Sequence, residues 1–262
     1  MSGKYIFFDI DGTLWDHKMQ IPDSTREALR LLKANGHKIF ISSGRSRANI
    51  HSDDLDSLGF DGILCACGNH IEVDGTIIYE RILEEDLVKR TIEVTTRAGM
   101  PVVLEGPDYH WISEEGFDPD PFVDYLWESL GERGLPMRGY EPGMRLNKFS
   151  ADHFEDTDYD YVKAELGPYY DILEHDGMVI ECVPKGSSKA TGIQWLMDHD
   201  GIALEDTYAV GDSVNDHDML SFVGHGIAMG NASPSTKDIA EYVTSDIHED
   251  GIYHAMKHYG LI

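Results

Sequence analysis

The stretch Tyr5-Ile-Phe-Phe-Asp9-Ile-Asp11-Gly12-Thr13 decides the fold. Its first four residues form a short apolar run, which predicts a buried strand that ends where the carboxylates begin. An amphipathic helix is predicted over 24–35, with Ser24 and Glu27 as a capping box, and a second strand is predicted over 38–41. Strand, helix and strand at this spacing form a βαβ unit, so we expect parallel pairing through a right-handed crossover.

The C-terminal part of the sequence repeats this alternation. The pattern predicts helices near 189–199, 215–221, 234–240 and 251–258, and strands at 207–210, 226–229 and 242–244. Together the two ends of the chain, 1–82 and 183–262, predict one α/β domain with a doubly wound, Rossmann-like parallel sheet.

The middle of the chain, 83–182, has a different pattern and a different composition. It carries 24 acidic and 8 basic side chains. Helices are predicted at 84–98, 120–132 and 158–166, and strands near 101–105, 145–150, 170–174 and 178–183, with Asp176-Gly177 as a hairpin turn. We therefore expect an inserted α+β module.

The composition excludes several classes of protein. The chain has 262 residues, 41% of them hydrophobic and 26% charged, which is typical of a globular protein. The net charge of −27 disfavours nucleic-acid backbones and anionic membrane surfaces as partners.

No apolar stretch is long enough to span a bilayer, and no signal peptide is evident. Cys65, Cys67 and Cys182 are expected to be buried thiols, so we predict a cytoplasmic protein.

Polar residues follow three of the predicted parallel strands, at the sheet edge where ligands bind in such folds. They are Asp9 and Asp11 after the first strand, Ser43 and Gly44 after the second, and Asp212, Asn215 and Asp216 after the strand at 207–210, with Lys189 shortly before that strand. Two carboxylates alone would also suit glycoside hydrolysis. Three carboxylates with an amide, a hydroxyl and a lysine better suit Mg²⁺ and a phosphoryl group. The sequence has no Walker-type glycine-lysine motif and no Ser-His-Asp order.

These motifs resemble those of the haloacid dehalogenase superfamily. Asp9-x-Asp11-Gly12-Thr13 is similar to its first motif, Ser43 to the second, Lys189 to the third and Gly211-Asp212-x-x-Asn215-Asp216 to the fourth. The segment Gly226-Ile-Ala-Met-Gly-Asn-Ala232 resembles the tail of its Cof-type sugar-phosphatase branch, subfamily IIB. Cys67-Gly68-Asn69 stands where that branch has Asn-Gly before a short hairpin.

The resemblance implies a Mg²⁺-dependent phosphatase in which the inserted module is a cap. Asp9 would be the nucleophile that forms an aspartyl-phosphate, and Asp11 would be the general acid and base. The implied metal site consists of Asp9, Asp11 through its carbonyl, Asp212, and Asp216 through water. The implied phosphate contacts are Ser43, Gly44, Asn215 and Lys189.

The sequence leaves four points open. Lys185 also fits the Lys-Gly-Ser-Ser-Lys segment, although Lys189 is favoured because it opens the following helix. A small phosphorylated metabolite is expected as substrate, with its identity and the oligomeric state undetermined. A phosphomutase or phosphotransferase of the same fold is the first alternative function. A binding module without catalysis is the second, and both Asp9 and Asp11 argue against it.

Overall fold

The computed structural model of the protein describes residues 3–117, 121–175 and 178–262. Numbered in chain order, the strands are Tyr5–Phe8 (β1), Lys38–Ser42 (β2), Gly62–Cys65 (β3), His70–Val73 (β4), Thr76–Glu80 (β5), Val102–Glu105 (β6), His110–Ser113 (β7), Gly134–Met137 (β8), Lys148–Asp152 (β9), Tyr170–Glu174 (β10), Val179–Pro184 (β11), Thr207–Gly211 (β12), His225–Ala228 (β13) and Tyr242–Val243 (β14). The helices are Asp23–Ala34 (α1), Asp53–Asp56 (α2), Glu85–Arg97 (α3), Pro121–Leu130 (α4), Tyr159–Leu166 (α5), Lys189–Asp200 (α6), His217–Phe222 (α7), Pro234–Ile239 (α8) and Gly251–His258 (α9).

The chain divides into two compact units. The first consists of the segment up to Gly44, His51–Glu80 and Ser188–Ile262. The second consists of Arg45–Ile50 and Arg81–Ser187. The inserted module expected at 83–182 corresponds to most of the second unit, which in addition includes the short segment directly after Gly44.

The first unit contains an eight-stranded sheet with the order β14-β13-β12-β1-β2-β3-β4-β5. Neighbours from β14 to β3 pair in parallel, whereas β3-β4 and β4-β5 are antiparallel. Phe8 lies opposite both Val210 and Ile41. The C-terminal ends of β12, β1 and β2 therefore meet at one edge of the sheet, which confirms the predicted doubly wound α/β fold.

The core of this unit explains why β1 is apolar throughout. Ile6, Phe7 and Phe8 are fully buried. Phe7 packs with Phe40 of β2 and with the apolar side of α6, including Leu196. Because side chains alternate along a strand, Ile6 and Phe8 occupy the opposite face, so both faces of the sheet are covered.

The hairpin after β3 is the one that the family resemblance implied. β4 and β5 pair antiparallel across Asp74-Gly75, and both turn residues have positive φ, 48° and 74°. Two positive φ values are the requirement of a type I′ turn, which Asp-Gly satisfies well. This turn therefore fixes the register of the two strands.

The second unit has a six-stranded sheet with the order β10-β11-β9-β6-β7-β8. Helices α3 and α5 pack on one face around Leu104 and Phe149. Helix α4 packs in a separate apolar cluster, with Val103 of β6 and Ile112 of β7. The antiparallel pairing of β10 and β11 is confirmed, whereas the predicted turn at Asp176-Gly177 lies outside the described residues.

Five strands have no residue range in the sequence prediction: β3, β4, β5, β7 and β8. For β4 and β5 the resemblance implied only that a short hairpin follows Cys67-Gly68-Asn69. Each of the five strands is four or five residues long. Strand β8 also contains Pro136, which usually argues against a strand. Since β8 is at the edge of its sheet, a proline is tolerated there.

The predicted capping box of the first helix is wrong. Helix α1 begins at Asp23, and its N-cap residue Pro22 makes no side-chain capping hydrogen bond. Ser24 therefore lies inside the first turn, and Glu27 pairs with Arg30 at 2.8 Å instead. The acidic Asp23 in the first turn is favourable next to the positive end of the helix dipole.

The variant Ser24→Ala tests this correction. A lost N-cap costs about 1 kcal/mol, whereas alanine inside a helix is the most favourable residue. We expect the free energy of unfolding to stay equal or to increase by up to about 0.5 kcal/mol. Thermal unfolding measured by circular dichroism gives this free energy. A decrease of about 1 kcal/mol would show that Ser24 caps the helix after all.

No helix of the described residues is long and apolar enough to cross a membrane.

Candidate active site

The first site residues are positioned by the end of β1. Asp9 follows Phe8 directly, its backbone N–H donates to Val210 O at 3.0 Å, and its side chain is buried. Gly12 turns the chain with a φ of 77°, and a Cβ there would collide with the Asp212 carboxylate. Asp11 stands between them with an exposed side chain. The sharp turn therefore separates a buried carboxylate from an exposed one.

Lys189 lies at the centre of the polar cluster. Its Nζ donates to Asp9 Oδ1 at 2.6 Å, to Asp216 Oδ1 at 2.6 Å and to Asn215 Oδ1 at 3.3 Å. A capping box formed by Ser188 and the third residue of α6 fixes the start of this helix, so that Lys189 is its first residue. The side chain is 1% exposed, and its burial is compensated by two carboxylates.

The position of Lys185 differs from that of Lys189. Lys185 Nζ pairs with Asp171 Oδ1 at 2.8 Å, and both side chains are about half exposed. Of the two lysines left open by the sequence, Lys189 is the one that contacts the carboxylate cluster.

The loop after β12 supplies the remaining carboxylates. Asp216 Oδ2 accepts the backbone N–H groups of Asp212 at 2.9 Å and Ser213 at 3.0 Å. A Cβ on Gly211 would lie 2.5 Å from Asp216 Cγ, so this position requires glycine. Thr13 Oγ1 donates to Asp212 Oδ1 at 3.2 Å, which links this loop to the turn after β1. Asp216 thus uses one oxygen to fold the loop and the other to hold Lys189.

The electrostatics of the cluster are dominated by its carboxylates. Burial and the neighbouring Asp216 raise the pKa of Asp9 well above its ordinary value. The same two causes raise the pKa of Asp212 to about 7. Burial alone would lower the pKa of Lys189, but Asp216 and Asp9 outweigh it and raise the pKa. When its carboxylates are ionised, the site therefore carries more negative charge than one ammonium group can neutralise.

The residues present fit a hard divalent cation. Asp9, Asp212 and Asp216 each offer a carboxylate oxygen, and these oxygens lie within 4.8 Å of one another. Oxygen donors of this kind suit Mg²⁺, whereas zinc sites are rich in histidine and cysteine. A cation would also relieve the repulsion that raises the pKa values of Asp9 and Asp212.

The other predicted site residues lie at the same edge of the first unit. Ser43 follows β2 and is 2% exposed, with its N–H donating to Leu64 O at 2.8 Å. Gly44 comes next and is half-buried. Asn215 Oδ1 accepts from Ser213 Oγ at 2.8 Å as well as from the lysine. The fold therefore brings residues from three strand ends and one helix start to one edge.

Sequence reasoning gave no role to two residues that contact this site. Trp15 Nε1 donates to Asp11 Oδ1 at 2.8 Å. Asn231 Nδ2 donates to Gly12 O at 2.8 Å, and its Oδ1 accepts from Ile247 N at 3.1 Å. Asn231 lies in the segment that resembles the family tail, which was the available signal. Trp15 had none, because an apolar ring after a turn is usually core.

The three cysteines of the sequence are expected to be buried thiols. Cys65, Cys67 and Cys182 are buried, as predicted. His70, near the first two, has its Nδ1 3.0 Å from Glu80 Oε1. Among the described residues, the one group of three side chains that could share a metal ion is Asp9, Asp212 and Asp216.

The chain is similar to known phosphatases over its whole length. The family model of haloacid dehalogenase-like hydrolases matches residues 6–256. Putative phosphatase YkrA of Bacillus subtilis is 30% identical over 100% of both chains. The 5-amino-6-(5-phospho-D-ribitylamino)uracil phosphatase YitU of the same organism is 27% identical, over 97% of this chain and 96% of YitU.

A solved structure gives the same result for the fold. A sugar phosphatase described as belonging to subclass IIB of the superfamily is 31% identical, with a TM-score of 0.84 over 99% of this chain and 100% of that one. The resemblance noted from the four motifs is therefore confirmed by the family model, the relatives and the fold. The chain belongs to the haloacid dehalogenase-like hydrolase family and is a phosphatase of that family.

Proposed function

We propose that this protein is a Mg²⁺-dependent phosphatase that hydrolyses small phosphorylated metabolites, sugar phosphates first among them, through an aspartyl-phosphate. One observation carries the proposal: Lys189 bridges Asp9 and Asp216 at 2.6 Å each, with Asp212 in the same acidic cluster. Phosphoryl transfer needs a nucleophile, a positively charged side chain and oxygen ligands for a metal ion. Asp9, Lys189 and the carboxylate cluster are residues of these three kinds. The sugar phosphatase of similar fold supports the substrate class.

The proposed mechanism assigns different tasks to the two carboxylates after β1. An Asp9 oxygen attacks phosphorus, the bond to the leaving oxygen breaks, and its electron pair takes a proton from Asp11. Water then attacks the aspartyl-phosphate and gives a proton to Asp11, while the bond between Asp9 and phosphorus breaks to release phosphate. The buried position of Asp9 and the exposed position of Asp11 support this division.

The remaining site residues bind and orient the phosphoryl group. Lys189, Asn215, Ser43 and Gly44 would contact its oxygens, where transition-state charge accumulates. Asp9, the Asp11 carbonyl and Asp212 would hold Mg²⁺, with Asp216 supporting the site. When bound, the cation neutralises phosphoryl charge and the repulsion within the carboxylate cluster.

The second unit is proposed to be the cap that controls substrate access. Its sequence carries much of the net charge of −27. That charge also argues against nucleic-acid and membrane-surface partners, because it repels polyanions. The buried free thiols support a cytoplasmic protein. Attraction of a small phosphate ester must then be local, through the cation and Lys189.

A phosphate-release assay over a panel of substrates tests the function. The panel comprises hexose and pentose phosphates, nucleoside monophosphates and a phosphorylated ribitylaminouracil, each with MgCl₂. We expect release of inorganic phosphate from at least one sugar phosphate. If the protein isomerises a sugar phosphate and releases little phosphate, it is a phosphomutase and the proposal is wrong.

Removal of the metal gives a separate prediction. Because Asp9, Asp212 and Asp216 are proposed to support a Mg²⁺ site, we expect EDTA to abolish activity and Mg²⁺ to restore it. Binding to the folded state also stabilises it, by about 2.7 kcal/mol at a concentration 100 times the Kd. We expect a higher thermal unfolding midpoint with MgCl₂ and no such increase in Asp212→Asn. Full activity after chelation would remove Mg²⁺ from the mechanism.

A further inference from the structure

Trp15 contacts the carboxylate to which the mechanism assigns proton transfer. The indole N–H donates to Asp11 Oδ1 at 2.8 Å. The ring is 5% exposed, whereas the side chain that it holds is exposed. A donor that approaches a carboxylate makes a stronger hydrogen bond than one between neutral groups. A buried residue thus holds one oxygen of the carboxylate of an exposed residue.

The backbone of the same turn fixes the position of the ring. Gly12 N donates to Trp15 O at 2.9 Å, and Trp15 N donates to Ile10 O at 3.2 Å. Asp11 and Trp15 also form a one-residue parallel bridge. The turn therefore closes on itself within six residues, and the indole is folded back towards Asp11 by main-chain contacts that do not involve its own N–H.

We propose that Trp15 is a positioning residue for proton transfer: its indole N–H donates to Asp11 Oδ1 and so fixes the rotamer in which the Asp11 carboxyl group transfers a proton. This inference rests on the proposed function. Asp11 is joined to the sheet by a turn and has an exposed side chain, so its carboxyl orientation must come from a specific contact. The hydrogen bond to Trp15 is a contact of that kind.

The proposal predicts a dependence on the leaving group. An alkoxide leaving from a sugar phosphate is a strong base and needs a proton as the P–O bond breaks. The anion of 4-nitrophenol is stable near neutral pH and leaves without one. Misplacing the proton of Asp11 should therefore slow the first reaction much more than the second, whereas a general loss of structure should slow both equally.

The test compares Trp15→Phe with the unchanged protein on a sugar phosphate that it hydrolyses and on 4-nitrophenyl phosphate. We expect kcat/KM for the sugar phosphate to fall by about 10- to 100-fold and that for the aryl phosphate by less than about threefold. Asp11→Asn should show the same discrimination, with a larger loss on the sugar phosphate.

A second tryptophan of the first unit gives a matched control. Trp195 lies on α6 and packs against Tyr79 of β5 and His199 of α6. None of these three residues belongs to the carboxylate cluster. Trp195→Phe removes the same chemical group and should leave the ratio of the two kcat/KM values unchanged. If Trp15→Phe fails to fold, site-specific incorporation of 3-benzothienyl-L-alanine at position 15 keeps the ring volume and removes only the N–H.

Each outcome decides the inference. A selective loss on the sugar phosphate in either Trp15 variant supports it. Equal losses on both substrates, or no loss on either, would overturn it, since the indole would then act only through packing or not at all. Failure of the proposed function has a different signature, namely retained hydrolysis of both substrates by Asp9→Asn.

Discussion

Asp9→Asn is expected to reduce phosphate release by about 10⁴-fold or more, because Asp9 is the proposed nucleophile and an amide oxygen is a poor one. The fold should persist, since the two side chains have nearly the same volume. Lys189 can still donate to an amide oxygen at the position of Asp9 Oδ1, where the distance is 2.6 Å. Steady-state phosphate release on the best substrate of the panel measures the effect.

The stability of this variant is a necessary control. Burial and Asp216 oppose ionisation of Asp9, so an uncharged side chain there relieves repulsion. We therefore expect a thermal unfolding midpoint no lower than that of the unchanged protein in EDTA. Hydrolysis at the original rate by a well-folded Asp9→Asn protein would contradict the nucleophile assignment.

Lys189→Met is the second substitution with a large expected effect. It removes the ammonium group from between Asp9 and Asp216, so the buried carboxylates lose their compensating charge. We expect the free energy of unfolding in EDTA to fall by about 3 kcal/mol. Activity should fall by about 10²- to 10³-fold, because the proposed donor to the phosphoryl oxygens is lost. Thermal unfolding and phosphate release measure the two effects.

Lys185→Met is the matched control for this experiment. The same change of side chain is made four residues earlier, where the lysine pairs with Asp171 on the surface. Surface ion pairs contribute at most about 1 kcal/mol, so both activity and stability should change little. A larger loss of activity in Lys185→Met than in Lys189→Met would reverse the assignment of the phosphate-binding lysine.

The fold was predictable where local pattern and tertiary environment agree. The residues of β1 form a continuous apolar run because both faces of the parallel sheet are covered. Such a run can be recognised in the sequence without knowing which strands lie beside it. Helix α6 is predicted within one residue, since Ser188 caps it and Gly201 ends it in the left-handed region. Such elements carry their own start and stop signals.

Prediction failed where a neighbour decides the outcome. Pro136 is compatible with β8 because that strand lies at a sheet edge, which the local sequence does not encode. Ser24 and Glu27 have the spacing of a capping box, yet the helix begins one residue earlier and leaves them inside it. The same spacing of serine and glutamate is compatible with more than one first residue of the helix. Tertiary packing decides at which residue the helix begins.

For the site, the sequence by itself determined which residue types gather at one edge: Asp9, Asp11, Ser43 and the loop after β12 each follow a strand whose parallel pairing the βαβ rhythm implies. Only the tertiary structure decided which of them touch. It selected Lys189 over Lys185, divided the oxygens of Asp216 between the loop and the lysine, and brought Trp15 to Asp11. The physical reason is that the position of a strand along the chain follows from hydrophobic periodicity, whereas a hydrogen bond depends on side-chain positions to within a few tenths of an ångström.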